Sequence, residues 1–230
     1  MDSILESTRI YVAACKYERM LKLPAQLVKL KLPHTIEREP PSYNANGSKQ
    51  YGVNIWFDPP SRRFRRQCMI DVDKPFLWLE DDIDIPDCFL NIWSRYEKNL
   101  PADWKVAVLG WGIIYDEGVR IRNVSPGWWH LDGGKGHYAA FSGSQAVLVN
   151  AGDWRRKLAK KEFRCDVGLC GVLKGIGITQ IYHSDKVLIG TNDPHTTFGD
   201  AVVQYSKMSE PRYFGWKVGY RAIRDDDFIR

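Results

Sequence analysis

Phe76-Leu77-Trp78-Leu79-Glu80-Asp81-Asp82-Ile83-Asp84 is the stretch on which the reading of this chain turns. Four apolar residues end abruptly in carboxylates, the pattern of a buried strand that delivers acids to its tip. Lys74 and Pro75 punctuate the entry, and Pro86 with Asp87 opens a helix, so the acids sit at a strand-to-helix turn. In open α/β sheets, ligands bind at the carboxyl ends of strands. Adjacent acids repel unless they are solvated or share a divalent cation that takes hard oxygen ligands. Glu80, Asp81 and Asp82 abut the strand and are read as a metal site, whereas Asp84 and Asp87 are read as partners of the following helix's N-terminal dipole.

The 230 residues suit one large domain spanning 1–230, and no apolar run approaches the roughly 20 residues that a membrane span needs. The opening Met-Asp-Ser-Ile-Leu-Glu-Ser is acidic where a secretory signal is basic, so the expected location is cytoplasmic. A position against the inner membrane, or in the host cytoplasm for a viral protein, is the second reading. Cys15, Cys68, Cys88, Cys165 and Cys170 are scattered without C-x-x-C spacing, which reads as reduced thiols. Charge is unevenly divided: residues 1–70 hold 12 Lys/Arg against 6 Asp/Glu, residues 71–100 hold 3 against 8, and residues 101–230 hold 18 against 14. The acids thus gather at the proposed site inside an otherwise basic chain, a weak pointer to anionic partners.

Ile10 to Ala14 reads as the first strand, followed by a turn containing Arg19 and a helix from about Pro24 to Leu32. Ser61 to Met69 reads as an amphipathic helix with Arg62, Arg63, Arg65 and Arg66 around a Phe64-Cys68-Met69 face. Those arginines suit a solvated face first and a phosphate contact second. Phe89, Trp93, Tyr96 and Leu100 form a helical core stripe, and Lys105 to Gly110 a second buried strand, making a βαβ unit with the acidic strand. Ile113 to Val124 is hairpin-like. Trp128 and Trp129, set between Gly127 and the Gly133-Gly134 pair, read either as a flap that stacks on a sugar-like ligand or as packing. His137 to Phe141 reads as a strand, with Ser142 capping a helix that carries Ala146, Val147 and Leu148. Trp154 to Lys161 is a basic helix, Asp166 stands at another helix start, and Ile178 to His183 and Val187 to Ile189 read as strands.

In order and spacing, Trp78-Leu79-Glu80-Asp81-Asp82, the segment Leu100 to Gly110, Tyr138-Ala139-Ala140-Phe141-Ser142 and the Asp166 segment resemble glycosyltransferase family 25. That family includes lipopolysaccharide and collagen sugar transferases. The resemblance spans roughly residues 8 to 195. It implies an α/β, GT-A-like single domain with a mixed, mostly parallel sheet flanked by helices. The nucleotide-binding half would be about 8–110 and the acceptor side about 111–230. It further implies sugar transfer with inversion from a nucleotide-sugar donor, with UDP the expected nucleotide. The family's acidic motif falls on Glu80, Asp81 and Asp82, its late aspartate on Asp166 as general base, and its basic residue near the nucleotide on Arg19. Ala13-Ala14-Cys15-Lys16 replaces the usual Asn-Leu stretch, and the Arg62 to Met69 segment replaces a Ser-His-containing helix.

The chemistry suits these residue types. A departing nucleoside diphosphate develops charge that Mn²⁺ or Mg²⁺ on carboxylates stabilises, with Asp82 and Glu80 as ligands and His195 or His183 as a third. A separate carboxylate must take the proton of the attacking hydroxyl, borne by a surface glycan precursor or by a hydroxylated base in DNA. The acids and arginines also suit a metal-dependent nuclease or phosphoryl enzyme, and the basic segments a non-catalytic nucleic-acid-binding domain.

Overall fold

The acidic stretch is strand β3 (Phe76–Glu80) in the computed structural model, which describes residues 3–14, 22–38, 59–81, 83–110, 112–114, 119–133, 145–163, 165–186, 188–190 and 212–214. Phe76 and Trp78 pack into one core and Leu77 and Leu79 into another, because successive side chains of a strand point to opposite faces. A strand covered on both sides tolerates no polar residue until it emerges, which happens at Glu80. β1 (Arg9–Ala14) lies parallel beside it with Ala13 opposite Glu80, and β2 (His34–Arg38) lies parallel beyond β1. On the other side comes β8 (Ala146–Val149), then β4 (Val106–Val108), β9 (Ile181–Ser184), β7 (Trp128–Gly133) and β6 (Val119–Ser125), giving the order β2-β1-β3-β8-β4-β9-β7-β6. β5 (Gly112–Ile114) pairs separately with β10 (Arg212–Phe214). The large sheet therefore takes strands from both halves of the chain.

Helices cover both faces. On one side α1 (Ile4–Ser7), α2 (Lys22–Lys29) and α4 (Phe89–Glu97) bury Leu5, Leu23, Leu27, Phe89, Ile92, Trp93 and Tyr96 against Val12, Leu77, Leu79 and Leu148. On the other, α3 (Pro59–Met69), α5 (Trp154–Ala159) and α6 (Cys165–Gly175) bury Phe64, Cys68, Leu158, Leu169, Cys170 and Leu173. Phe64 is the hub of that second layer, meeting Phe76, Trp78 and Phe163 edge-on at 5.5, 5.4 and 6.1 Å between ring centroids.

The α/β class with a mixed, helix-flanked sheet stands as expected, but the sheet is not mostly parallel: three pairings are parallel and four antiparallel. Two of the four come from β7, in the β6–β7 hairpin and against β9, and two from β8, read from sequence as a helix. An apolar run of four fits a buried strand or a helix equally by periodicity, and the β-branched Val147 and Val149 favour the strand. β8 separates β3 from β4, so the expected βαβ unit keeps its parallel strands without pairing them. The hairpin is also displaced. It joins β6 to β7 through Pro126-Gly127, where φ is +85° and a Cβ on Gly127 would meet the Tyr96 ring at 2.8 Å. Of the strand expected over Val187 to Ile189, Val187 lies outside the described residues, and Leu188 and Ile189 are buried outside the sheet, each donating its backbone N–H to the Leu109 carbonyl.

One buried cation organises the underside. Arg155, at the start of α5, has no solvent exposure; it donates to the carbonyls of Gln67 (3.0 Å), Ile70 (2.9 Å) and Lys74 (2.6 Å), and its guanidinium lies 4.8 Å from the centre of the Phe76 ring. Burial lowers its pKa from the usual guanidinium value. Arg155→Met removes all three of these bonds, although the Gln67 carbonyl still accepts from the Ile70 N–H and the Ile70 carbonyl from Arg9, and is expected to cost about 3 kcal/mol, given the strength of hydrogen bonds from charged donors. Arg155→Lys should recover only part, since a point charge cannot fork to three acceptors. Urea denaturation curves check both.

Candidate active site

Six strands of the large sheet, β2, β1, β3, β4, β9 and β6, run in one direction, so their carboxyl ends share an edge. Glu80 and Asp81 lie on it. The Glu80 N–H still donates to the Gln145 carbonyl at 2.9 Å, so the ladder with β8 fixes its backbone. Glu80 is half-buried and Asp81 buried, at 7% exposure. Asp82, expected to be a metal ligand, lies outside the described residues. Ile83 and Ile85 return to the core and anchor the loop again.

Asp84 and Asp87 do not serve the helix that follows them. α4 starts at Phe89, and its N-cap, Cys88, makes no side-chain capping bond. Asp84 instead accepts from Gln26 and pairs with Lys22 at 3.2 Å, Ile85 donates its N–H to Gln26 Oε1 at 3.2 Å, and Asp87 pairs with Lys29. Both acids thus tie α2 to the acidic loop. On the loop's other side, Asp84 and Gly190 exchange backbone hydrogen bonds of 2.7 and 3.1 Å. The chain that continues to His195 therefore departs from beside the acids, although His195 itself, like Arg19, lies outside the described residues.

His183 is not brought to the acids. It lies on β9, three strands from β3, a lateral separation of roughly 14 Å at the usual strand spacing. Its ring is fully buried, with Nδ1 2.7 Å from the Ser184 carbonyl oxygen. It is a core residue. Trp128 is likewise core: its ring has no exposure, its Nε1–H donates to the Tyr96 carbonyl at 2.8 Å, and it meets the Tyr96 ring edge-on at 5.9 Å. Trp129 is half-buried and packs against the second cluster. Both sit in a strand paired on its two sides, which corrects the expectation of a flap. Among the described residues, no group of three His, Cys, Asp or Glu side chains is placed to hold a metal ion.

Asp166 is the second residue of α6. That helix hands the chain to β9 at the sheet's lower edge, where the Gln180 carbonyl accepts from Lys105, so its N-terminal turn lies at the upper end. α6 covers the same face on which Glu80 emerges, since Glu80 follows Trp78 by two residues and Trp78 packs in the α6 cluster. The tip of β3 and the start of α6 thus share one face and one edge, while the Asp166 side chain lies outside the described ones. α3 also begins at this edge and ends below. Of its arginines, Arg62 and Arg66 are exposed, Arg63 is buried, and Arg65 donates to the Lys161 carbonyl at 3.2 Å. A cavity of about 860 Å³, lined by Leu5, Arg9, Leu32, His34, Trp93 and Glu97 among others, opens at the opposite edge, away from the acids.

No family model matches the chain, and no curated protein matches it. Among solved structures it is similar to one titled "Crystal Structure of A197 from STIV", with a TM-score of 0.40 and 12% identity, covering 80% of this chain and 83% of that one. Likeness at that level assigns neither family nor activity.

Burial pushes the His183 pKa down from 6.5 to about 4. Between those values the unfolded chain binds the proton and the folded one does not, so stability falls as pH drops through that window and is unaffected by this group above it. The expected loss is on the order of 3 kcal/mol by pH 4. Urea midpoints at pH 7, 5.5 and 4.5 should fall more steeply for the parent than for His183→Leu; parallel curves would remove His183 as the cause.

Proposed function

We propose that the chain is a metal-dependent, inverting glycosyltransferase of the family 25 type, moving a sugar from a nucleoside diphosphate donor to a hydroxyl. The observation that carries this reading is the delivery of Glu80 and Asp81 by a doubly buried strand to the carboxyl edge of the sheet, in a loop held from both sides. Packing fixes the backbone of both acids at that tip, where a bound cation would gain from neighbouring carboxylates. Their hard oxygens are the donor type that Mn²⁺ or Mg²⁺ prefers. Glu80 and Asp82 would hold the ion, with His195 as the third ligand. Bound there, the ion supplies Lewis-acid stabilisation of the diphosphate leaving group.

The chain's own residues do the rest. α3 and α6, eleven residues each, begin at this edge and present the positive ends of their dipoles toward an anionic donor. Asp166, in the first turn of α6, takes the proton from the acceptor hydroxyl, from the same face as Glu80. The acceptor we favour is a glycan hydroxyl. A nucleic-acid acceptor needs a broad basic face, and on α3 Arg63 is buried and Arg65 donates to the Lys161 carbonyl.

Asp82→Ala is expected to lower Mn²⁺-dependent hydrolysis or transfer of a UDP-sugar by roughly 10³-fold with an unchanged melting curve. Retained metal-stimulated activity would remove Asp82 from the site. Asp166→Asn should lower transfer while leaving donor affinity within about twofold, because a base acts after binding. Charge reversal at both Arg62 and Arg66 should leave transfer unchanged for a glycan acceptor. A steep loss, together with a salt slope of about −0.9 per phosphate contacted, would instead identify duplex DNA as the acceptor.

A further inference from the structure

Gln145 stands directly opposite Glu80 where β8 meets the tip of β3, its carbonyl receiving the Glu80 N–H. Alternation puts its side chain on the Glu80 face, because Val147, two residues on, packs in the same cluster as Trp78. It is 4% exposed, and among the described residues its amide oxygen has no hydrogen-bond partner. Buried polar groups in native proteins are almost always paired, and those that are not ask for an explanation. Local rules are broken most often where function requires it. The placement here is specific: a buried amide opposite the half-buried acid, at the top of the strand that lies between the one bearing Glu80 and β4.

We propose that Gln145 reads the donor: its amide oxygen accepts a hydrogen bond from a hydroxyl of the sugar to be transferred, while Glu80 and its neighbours hold the diphosphate end. This rests on the glycosyltransferase reading and assigns it a specificity residue. A hydroxyl both donates and accepts, so it satisfies the amide in either orientation of its oxygen and nitrogen. A carboxylate ligand group would face repulsion from Glu80 and Asp81, and an apolar group would leave the amide unpaired. A site built to bond a hydroxyl rejects the analogue that lacks it, since the buried partner is then stranded.

The test measures dissociation constants with Mn²⁺ for UDP and for whichever of UDP-glucose, UDP-galactose and UDP-N-acetylglucosamine the parent binds best, followed by that donor's mono-deoxy analogues. Gln145→Met keeps the length and removes the amide. It should leave the melting temperature of the ligand-free protein unchanged or higher, because an unpaired buried group has been removed. It should weaken the UDP-sugar roughly 10- to 100-fold while leaving UDP within about twofold. One deoxy analogue should bind the parent as weakly as the full donor binds the variant, and should lose nothing further in the variant. Equal loss for UDP, or no loss for the UDP-sugar, overturns the assignment of Gln145 and leaves the functional reading standing. Failure of the parent to bind any of the three donors overturns both. Should the variant not fold, the parent with the deoxy analogues decides alone: no position costing tenfold would overturn the proposal.

Discussion

Three backbone carbonyls at the foot of the sheet converge on the guanidinium of Arg155. Two of them, from Gln67 and Ile70, end α3, and the third, from Lys74, precedes β3. A helix terminus leaves carbonyls that need donors, and here Arg155 joins the Ile70 N–H on Gln67 and Arg9 on Ile70 in supplying them. The cation therefore permits the tight passage from α3 to β3 inside the core. It also stacks on Phe76, the first residue of β3, which meets Phe64 of α3. α3, β3 and α5 are locked by this contact, and the register of β3 determines where its acids emerge.

The upper edge depends on that lock. β3 reaches the edge only because every residue before Glu80 is apolar and packed, so the acids cannot retreat into the sheet or slide without exposing Trp78 or Leu79. Asp84 then spends its carboxylate on α2 and its backbone on Gly190. The acidic loop is thus held at three points: the β8 ladder, α2 and the segment after β9. Anchoring of this kind fixes where Glu80 and Asp81 stand at the sheet edge.

Much of this frame was legible in the sequence. The Phe76 to Glu80 strand, the Phe89-Trp93-Tyr96 stripe, the Val106 to Val108 strand and the Asp166 helix follow from apolar runs and periodicity. What was illegible depended on partners distant in the chain. Ala146 to Val149 is too short to declare a strand until β3 and β4 flank it, and β2, half-exposed at the edge, carries a mixed sequence with no alternation to betray it. Arg63 read as part of a solvated face and Arg155 only as one charge of a basic helix, and the convergence of three carbonyls explains why Arg155 is buried. The Trp128-Trp129 pair sat among glycines that suggested a flap, but Gly127 serves a turn against Tyr96 and Trp128 fills the core. Gln145 carried no signal at all. An isolated glutamine becomes notable only when burial leaves its amide without a partner.

The central claim is that the tip of β3 binds a divalent cation, and the position of Mn²⁺ tests it most directly. In a backbone amide NMR spectrum of the full chain, substoichiometric Mn²⁺ broadens resonances steeply with proximity. With the cation at that tip, Ala13, Glu80, Asp81 and Ala146 broaden first, while Arg9, Thr35 and Lys74 toward the opposite edge stay sharp until far more metal is present. Uniform broadening, or first losses at the opposite edge, would contradict the claim.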